Sequence, residues 1–329
     1  MFKTKIKSRH VVFFLINFLI FFNVILCTKS ISTSNNNSPQ ENSQWGDFPE
    51  LYGPYLGQKI PEKDPIIFAD GIVNRKYQHS TPSISPDGSE ICWTEREFDS
   101  RYSTIYFSKK ANNRWTTPEV LIPNSNYWDD SPVFSPDGQT LFFNSNRPWP
   151  GNTGTEHERI WYINRQSDGS WSSPLPVDRG INDYALHWQV SVDNNGTLYF
   201  GSERTPNYGL DDIFCSEYKN GHFGFPVNLG PPVNTSEHES VPFIDPEGKF
   251  LLFVRPQQIN GNLIRTCIWI SRKDTNGSWS EPANITASYP DFEGACPKVT
   301  PDGKYILHLR YISGKFSVYW VSSEILDEF

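Results

Sequence analysis

No segment of this 329-residue chain repeats its apolar residues at the three-and-four spacing of an amphipathic helix, so a helical bundle is excluded. A basic surplus is also missing. Against 37 Asp and Glu stand 29 Lys and Arg, a formal charge of −8. Setting aside Lys3, Lys5, Lys7 and Arg9, which have no acidic counterpart near the start, gives −8 minus four, or −12. An acidic chain of this kind is a poor partner for nucleic acid or an anionic membrane surface. The five cysteines show no CxxC spacing, which leaves zinc and redox chemistry unsupported. Cys92, Cys215, Cys267 and Cys296 fall in different repeats and read as buried free thiols. There is no Gly-x-Ser-x-Gly elbow, no HExxH and no phosphate loop, and no room beside the repeats for an attached hydrolase domain.

The longest apolar run, Val11 to Leu26, is short for a membrane span and follows the four basic residues, the pattern of an export leader. An uncleaved anchor is the alternative. Residues 1–27 are therefore read as a signal segment, and Cys27, directly after Leu26, as the lipid-bearing cysteine of a bacterial lipoprotein signal. Leu26 is larger than the residue usual before such a cysteine, so ordinary cleavage a few residues later stays open. Residues 28–54, rich in Ser, Asn and Gln, read as a flexible spacer. The Asn-x-Ser/Thr triplets at Asn195, Asn234, Asn276 and Asn284 matter only in a host that glycosylates exported proteins.

What the chain has in abundance is one phrase, repeated. A short strand meets a turn of Pro-Asp-Gly type, then a hydrophobic strand, then an arginine: Ser83 to Gly88, Val133 to Gly138, Val190 to Gly196, Phe243 to Gly248 and Lys298 to Gly303 carry the first half. The turn glycines are 50, 58, 52 and 55 residues apart. Second strands follow at 91–93, 141–143, 198–200, 251–253 and 306–308, and aromatic third strands at 105–107, 160–162, 213–215, 268–270 and 318–320. A fourth, proline-bearing element (Pro118 to Leu121, Pro174, Pro226 to Leu229, Pro282 to Ile285) suits an outer edge, where a missing N–H costs nothing. The last repeat lacks it, but Pro65-Ile66-Ile67-Phe68 has its shape. The expectation is an all-β chain, a single β-propeller over residues 55–329 with five four-stranded blades, the ring closed by that N-terminal strand. Six blades of about 46 residues are the alternative, without a sixth repeat to support them.

The run Ser135 to Arg147, and Gly209-Leu210-Asp211-Asp212-Ile213-Phe214 leading to Pro226-Val227-Asn228-Leu229-Gly230, resemble the TolB-like propeller repeats of exported bacterial proteins. The resemblance covers nearly everything after Tyr55. It implies a propeller fold and export, and is silent on function, because such repeats serve translocation, scaffold, peptidase-associated and glycan-acting proteins. The separate amino-terminal domain of TolB has no counterpart here.

In a propeller, residues just before the first strands and just after the second strands share one rim of the central channel. Before the first strands lie His79, Asp129, Asp130, His187, Trp188, His238, Glu239 and Glu293; after the second strands lie Arg96, Arg147, Arg204, Arg255 and Arg310. An arginine in every repeat suits a lock onto a neighbouring carboxylate or carbonyl, and alternatively an anionic ligand. Asp129 or Asp130 with Glu239 or Glu293 would be the acid–base pair of a glycan-active hydrolase. His79, His187 and His238 are the imidazoles a divalent metal would recruit for a lyase, though no cofactor is required by any motif. Asp211 and Asp212 read as turn formers. The preferred expectation is a non-catalytic binding or scaffold module for a protein or glycan ligand of the cell envelope, touching the membrane only through its anchor.

Overall fold

The computed structural model describes residues 45–76, 78, 80–96, 102–123, 125–149, 158–184, 189–259 and 262–329. The leader, Cys27 and most of the proposed spacer lie outside them. So do His79, His187 and Trp188.

Five antiparallel four-stranded sheets form the blades of a propeller. Their first three strands are Ser83–Ile84, Glu90–Arg96 and Ser103–Ala111 in blade 1; Asp129–Phe134, Thr140–Ser145 and Arg159–Asn164 in blade 2; Val190–Val192, Leu198–Ser202 and Asp212–Ser216 in blade 3. Blade 4 has Ser240–Ile244, Phe250–Ile259 and Asn262–Arg272, and blade 5 has Ala295–Val299, Tyr305–Ile312 and Lys315–Ser322. Outer strands are only two residues long: Glu119–Val120, Leu175–Pro176, Val227–Asn228 and Ala283–Asn284. The fifth outer strand, Ile66–Ile67, comes from the other end of the chain and pairs Ile66 with Trp320 and Ile67 with Tyr319. Blade 5 is thereby built from both ends, and the ring is closed. Short edges with a proline nearby also leave little exposed strand on which another chain could add.

Why the turn motif recurs is visible in its hydrogen bonds. The Ser135 hydroxyl donates to the Asp137 carboxylate (2.5 Å) and accepts the Thr140 amide (2.9 Å), while Asp137 accepts the Gln139 amide. Gly138 closes the turn at φ 69°, a left-handed conformation that side chains resist. Blades 1 and 5 repeat this with Ser85 and Thr300. In blades 3 and 4 the carboxylates of Asp193 and Asp245 stand in the Ser position and accept the turn amides directly.

The core lies between blades. Strand registers place Trp93, Phe143, Phe200, Phe253 and His308 at one position of the five second strands, all fully buried. In blade 5 an imidazole takes the aromatic slot. A second recurring device was not anticipated from sequence. After each of four outer strands, a polar side chain reaches back to the third strand of its own blade: Asn182 to Ile160, Asn234 to Ile213, Thr286 to Ile268, and Asn74 to Val318. Each caps a third-strand amide that the two-residue outer strand leaves unpaired. Asn234 is thus fully buried and hydrogen-bonded, which removes it as a glycan acceptor in the folded chain.

Compact packing begins before Tyr55. Trp45 meets Trp93 and Tyr106 edge-on, with centroids 5.9 and 5.5 Å away, and the Arg75 guanidinium lies 3.8 Å over its ring. Residues 45–54 therefore belong with the propeller rather than with a free spacer. Among the described residues no helix is long and apolar enough to cross a membrane.

Candidate functional site

The rim opposite the Pro-Asp-Gly turns gathers most of the charged candidates, because first strands start there and second strands end there. The five arginines do not share one register. Arg96, Arg255 and Arg310 sit in their strands opposite Ser103, Cys267 and Ser317, whereas Arg147 and Arg204 lie two residues past Ser145 and Ser202.

All five are engaged within the protein. The Arg147 Nη2 donates to Asp129 Oδ1 at 2.6 Å, its Nε to the Ser145 hydroxyl at 2.9 Å, and Ser125 binds the other Asp129 oxygen. The Arg255 Nε donates to Glu239 Oε1 (2.7 Å) and its Nη2 to the Val233 carbonyl (3.0 Å); Glu239 also accepts the Thr235 amide (2.9 Å) and hydroxyl (2.7 Å). Both carboxylates are buried. Arg204, itself buried, donates to the carbonyls of Gly180 (2.7 Å) and Ile181 (3.1 Å) and lies 4.3 Å over Tyr184. Arg310 pairs with the exposed Asp291 (3.2 Å).

Blade 5 cannot repeat the carboxylate lock, because Gly294 occupies the place of Asp129 and Glu239. A Cβ there would stand 1.8 Å from the Leu309 carbonyl oxygen. The neighbouring Glu293 contributes its backbone carbonyl, 3.2 Å from the His308 Nδ1. Burial pushes the His308 imidazole down to about 3, and Arg310 acts in the same sense.

Asp211 and Asp212 separate in role. Asp212 accepts the amides of Tyr208 (2.6 Å) and Gly209 (3.2 Å), fixing the turn into the third strand. Asp211 faces His238, its Oδ2 3.1 Å from Nδ1. Burial lowers His238 to about 4, so the ring is neutral at pH 7. Among the described residues no three His, Cys, Asp or Glu side chains converge as a metal site.

One cluster at the rim is different. Asp130 accepts the Ser80 hydroxyl from blade 1 (2.9 Å) and the amide of Ser131 (2.5 Å). Around it stand Arg96, whose guanidinium lies 4.2 Å over Trp128, and the half-buried Glu158, which precedes the third strand of blade 2. Desolvation raises the Glu158 carboxyl to about 8, the Asp130 charge adds to this, and Arg96 opposes it. A carboxylic acid protonated at pH 7 thus sits beside a hydrogen-bonded carboxylate, on a guanidinium–indole platform. Sequence reasoning named Asp130 and Arg96 but missed Glu158, whose only sequence signal is its place just before a third strand.

No protein-family profile matches the chain, and no curated protein matches it. Among solved structures it is similar to TolB from Acinetobacter baumannii, at 15% identity and a TM-score of 0.49, over 74% of this chain and 51% of that one. It is also similar to the β-propeller domain of the Trilobed protease from Pyrococcus furiosus (14%, TM-score 0.37, 73% and 65% covered). A third likeness is to prolyl oligopeptidase B from Galerina marginata (11%, TM-score 0.41, 74% and 34% covered). The chain thus spans about half the length of the TolB it overlaps. At these identities and scores the likenesses carry no argument about activity, ligand or partner.

Proposed function

We propose that this chain is an exported, lipid-anchored binding module, non-catalytic, that holds a protein or glycan of the cell envelope at the mouth of its channel. The observation that supports it is the fate of the rim carboxylates. Asp129 and Glu239, two of the acid–base candidates, are buried and saturated by arginine, hydroxyl and amide donors, the arrangement of a staple rather than of a proton shuttle. Where the Arg96 guanidinium lies over Trp128 the rim presents a guanidinium–indole platform, and sugar rings and peptide planes stack on such faces. Anchoring rests on Cys27 and the basic, apolar leader before it. Replacing Cys27 by Ser should move the protein from the membrane to the soluble fraction.

Glu158 supports a second reading. An acid held near pKa 8 beside Asp130 has the protonation states a glycoside hydrolase needs, one carboxylic acid and one carboxylate. The two readings part in one experiment. Residues 45–329 are incubated with cell-envelope oligosaccharides, and both retention on immobilised protein and release of reducing ends are followed. Binding without turnover, weakened by Trp128→Ala at an unchanged melting temperature, supports the module. Turnover lost in Glu158→Gln would replace it with the hydrolase.

A further inference from the structure

At the end of the channel opposite the arginine rim, the bore opens into a cavity of about 380 Å³ lined by all five blades. That falls within the roughly 300–1,000 Å³ usual for ligand pockets. Its collar is made by the second residues of the five turns: Pro86, Pro136, Asn194, Pro246 and Pro301.

The inner end is polar. Lys298 leaves the first strand of blade 5 and crosses the bore. Its Nζ donates to the carbonyls of Thr81 in blade 1 and Pro132 in blade 2, both at 2.9 Å. An ammonium has three N–H groups, so one is not used by these carbonyls. Gln189, fully buried in the wall from blade 3, donates its Nε2 to the Pro242 carbonyl (3.1 Å), but its Oε1 has no partner among the described residues. Lys298 and Gln189 thus both line one cavity.

We propose that this cavity captures the carboxyl terminus of a peptide, the α-carboxylate accepting from Lys298 and an amide N–H near the terminus donating to Gln189. Three features select this ligand. A carboxylate completes the Lys298 donor set and supplies the counter-charge that two neutral carbonyls do not. Burial holds the Lys298 ammonium down to about 8; of the groups acting on it, Cys296, Cys92 and Asp130, none is a contacting carboxylate partner. Asp245 and Glu247 at the mouth disfavour a dianion such as phosphate. Finally, the collar lies three residues along the strand from Lys298, about 10 Å, the span of an extended tripeptide rather than a compact acid. This concerns the mouth away from the rim and stands whether or not the rim binds.

The test is titration calorimetry of residues 45–329 with tri-alanine bearing a free carboxylate, with its carboxamide, and with inorganic phosphate. We expect the free acid to bind, the amide to bind at least tenfold more weakly, and phosphate not to compete. Lys298→Met should abolish binding. Because that change also removes a tie between blades, Gln189→Leu is the second variant; it should weaken tri-alanine several-fold with the melt within a few degrees of the parent. Equal binding of acid and amide overturns the proposal. So does no binding of either at millimolar concentration, which would mean a bore holding water only, or displacement by phosphate.

Discussion

Removing the Glu239 carboxylate tests whether the rim carboxylates are staples or reagents. Glu239→Ala leaves the Arg255 guanidinium, itself largely buried against Trp269 (4.6 Å), without its anion. It also strips the Thr235 amide and hydroxyl of their acceptor. Breaking a buried pair from one side costs about 3–5 kcal/mol. For a propeller of this size, with an unfolding entropy of about 2.1 cal/mol/K per residue, each kcal/mol lowers the melting temperature by roughly 2 °C, so the fall should be about 5–9 °C. Glu239→Gln keeps an acceptor and loses the charge, and should fall between the parent and Ala. Glu239→Met with Arg255→Met removes both charges and should recover most of the loss, because an apolar pair of similar volume replaces the ion pair with little penalty. Thermal and urea unfolding followed by tryptophan fluorescence measures all three. A Glu239→Ala protein melting within 2 °C of the parent would refute the staple, and Glu239 would return as a free functional carboxylate.

Acid should weaken the fold through its buried imidazoles. His308 titrates near 3 and His238 near 4 when folded, against about 6.5 when unfolded. Below 6.5 the unfolded chain binds the extra protons, so stability is complete above that pH and falls through the window from 6.5 down to these values, by about 1.4 kcal/mol per unit for each ring. His308→Phe, restoring the aromatic of the other blades, should flatten the urea midpoint between pH 6 and 4. Asn74→Ala removes the clasp on Phe68 and Val318, and should cost about 3 kcal/mol and speed amide exchange in Lys315–Ser322 before the other blades. If exchange there is unchanged, the N-terminal strand is not what holds the ring shut. Gly294→Ala, with its Cβ placed against the Leu309 carbonyl, should abolish soluble expression; a well-folded variant would contradict that backbone approach.

The fold was legible because its causes are local. Each Ser/Thr/Asp-x-x-Gly turn is stabilised by its own side chains, and each second strand carries its apolar pattern within a few residues, so five repeats announce five blades. Even the closure of the ring was readable, since Pro65-Ile66-Ile67 has the form of the outer strand missing at the end. The rim was only half legible. Sequence order puts an arginine in every repeat, but the position of each relative to its strand end decides whether it reaches a carboxylate, as Arg147 and Arg255 do, or a carbonyl, as Arg204 does.

Local chemistry and period were enough to fix a five-bladed ring and the sites where charge would gather. Only the assembled propeller decided what those charges do, because that depends on burial and on partners from other blades. Glu158 became an acid through desolvation beside Asp130, and Lys298 became a tie across the bore, through neighbours far from either in the chain.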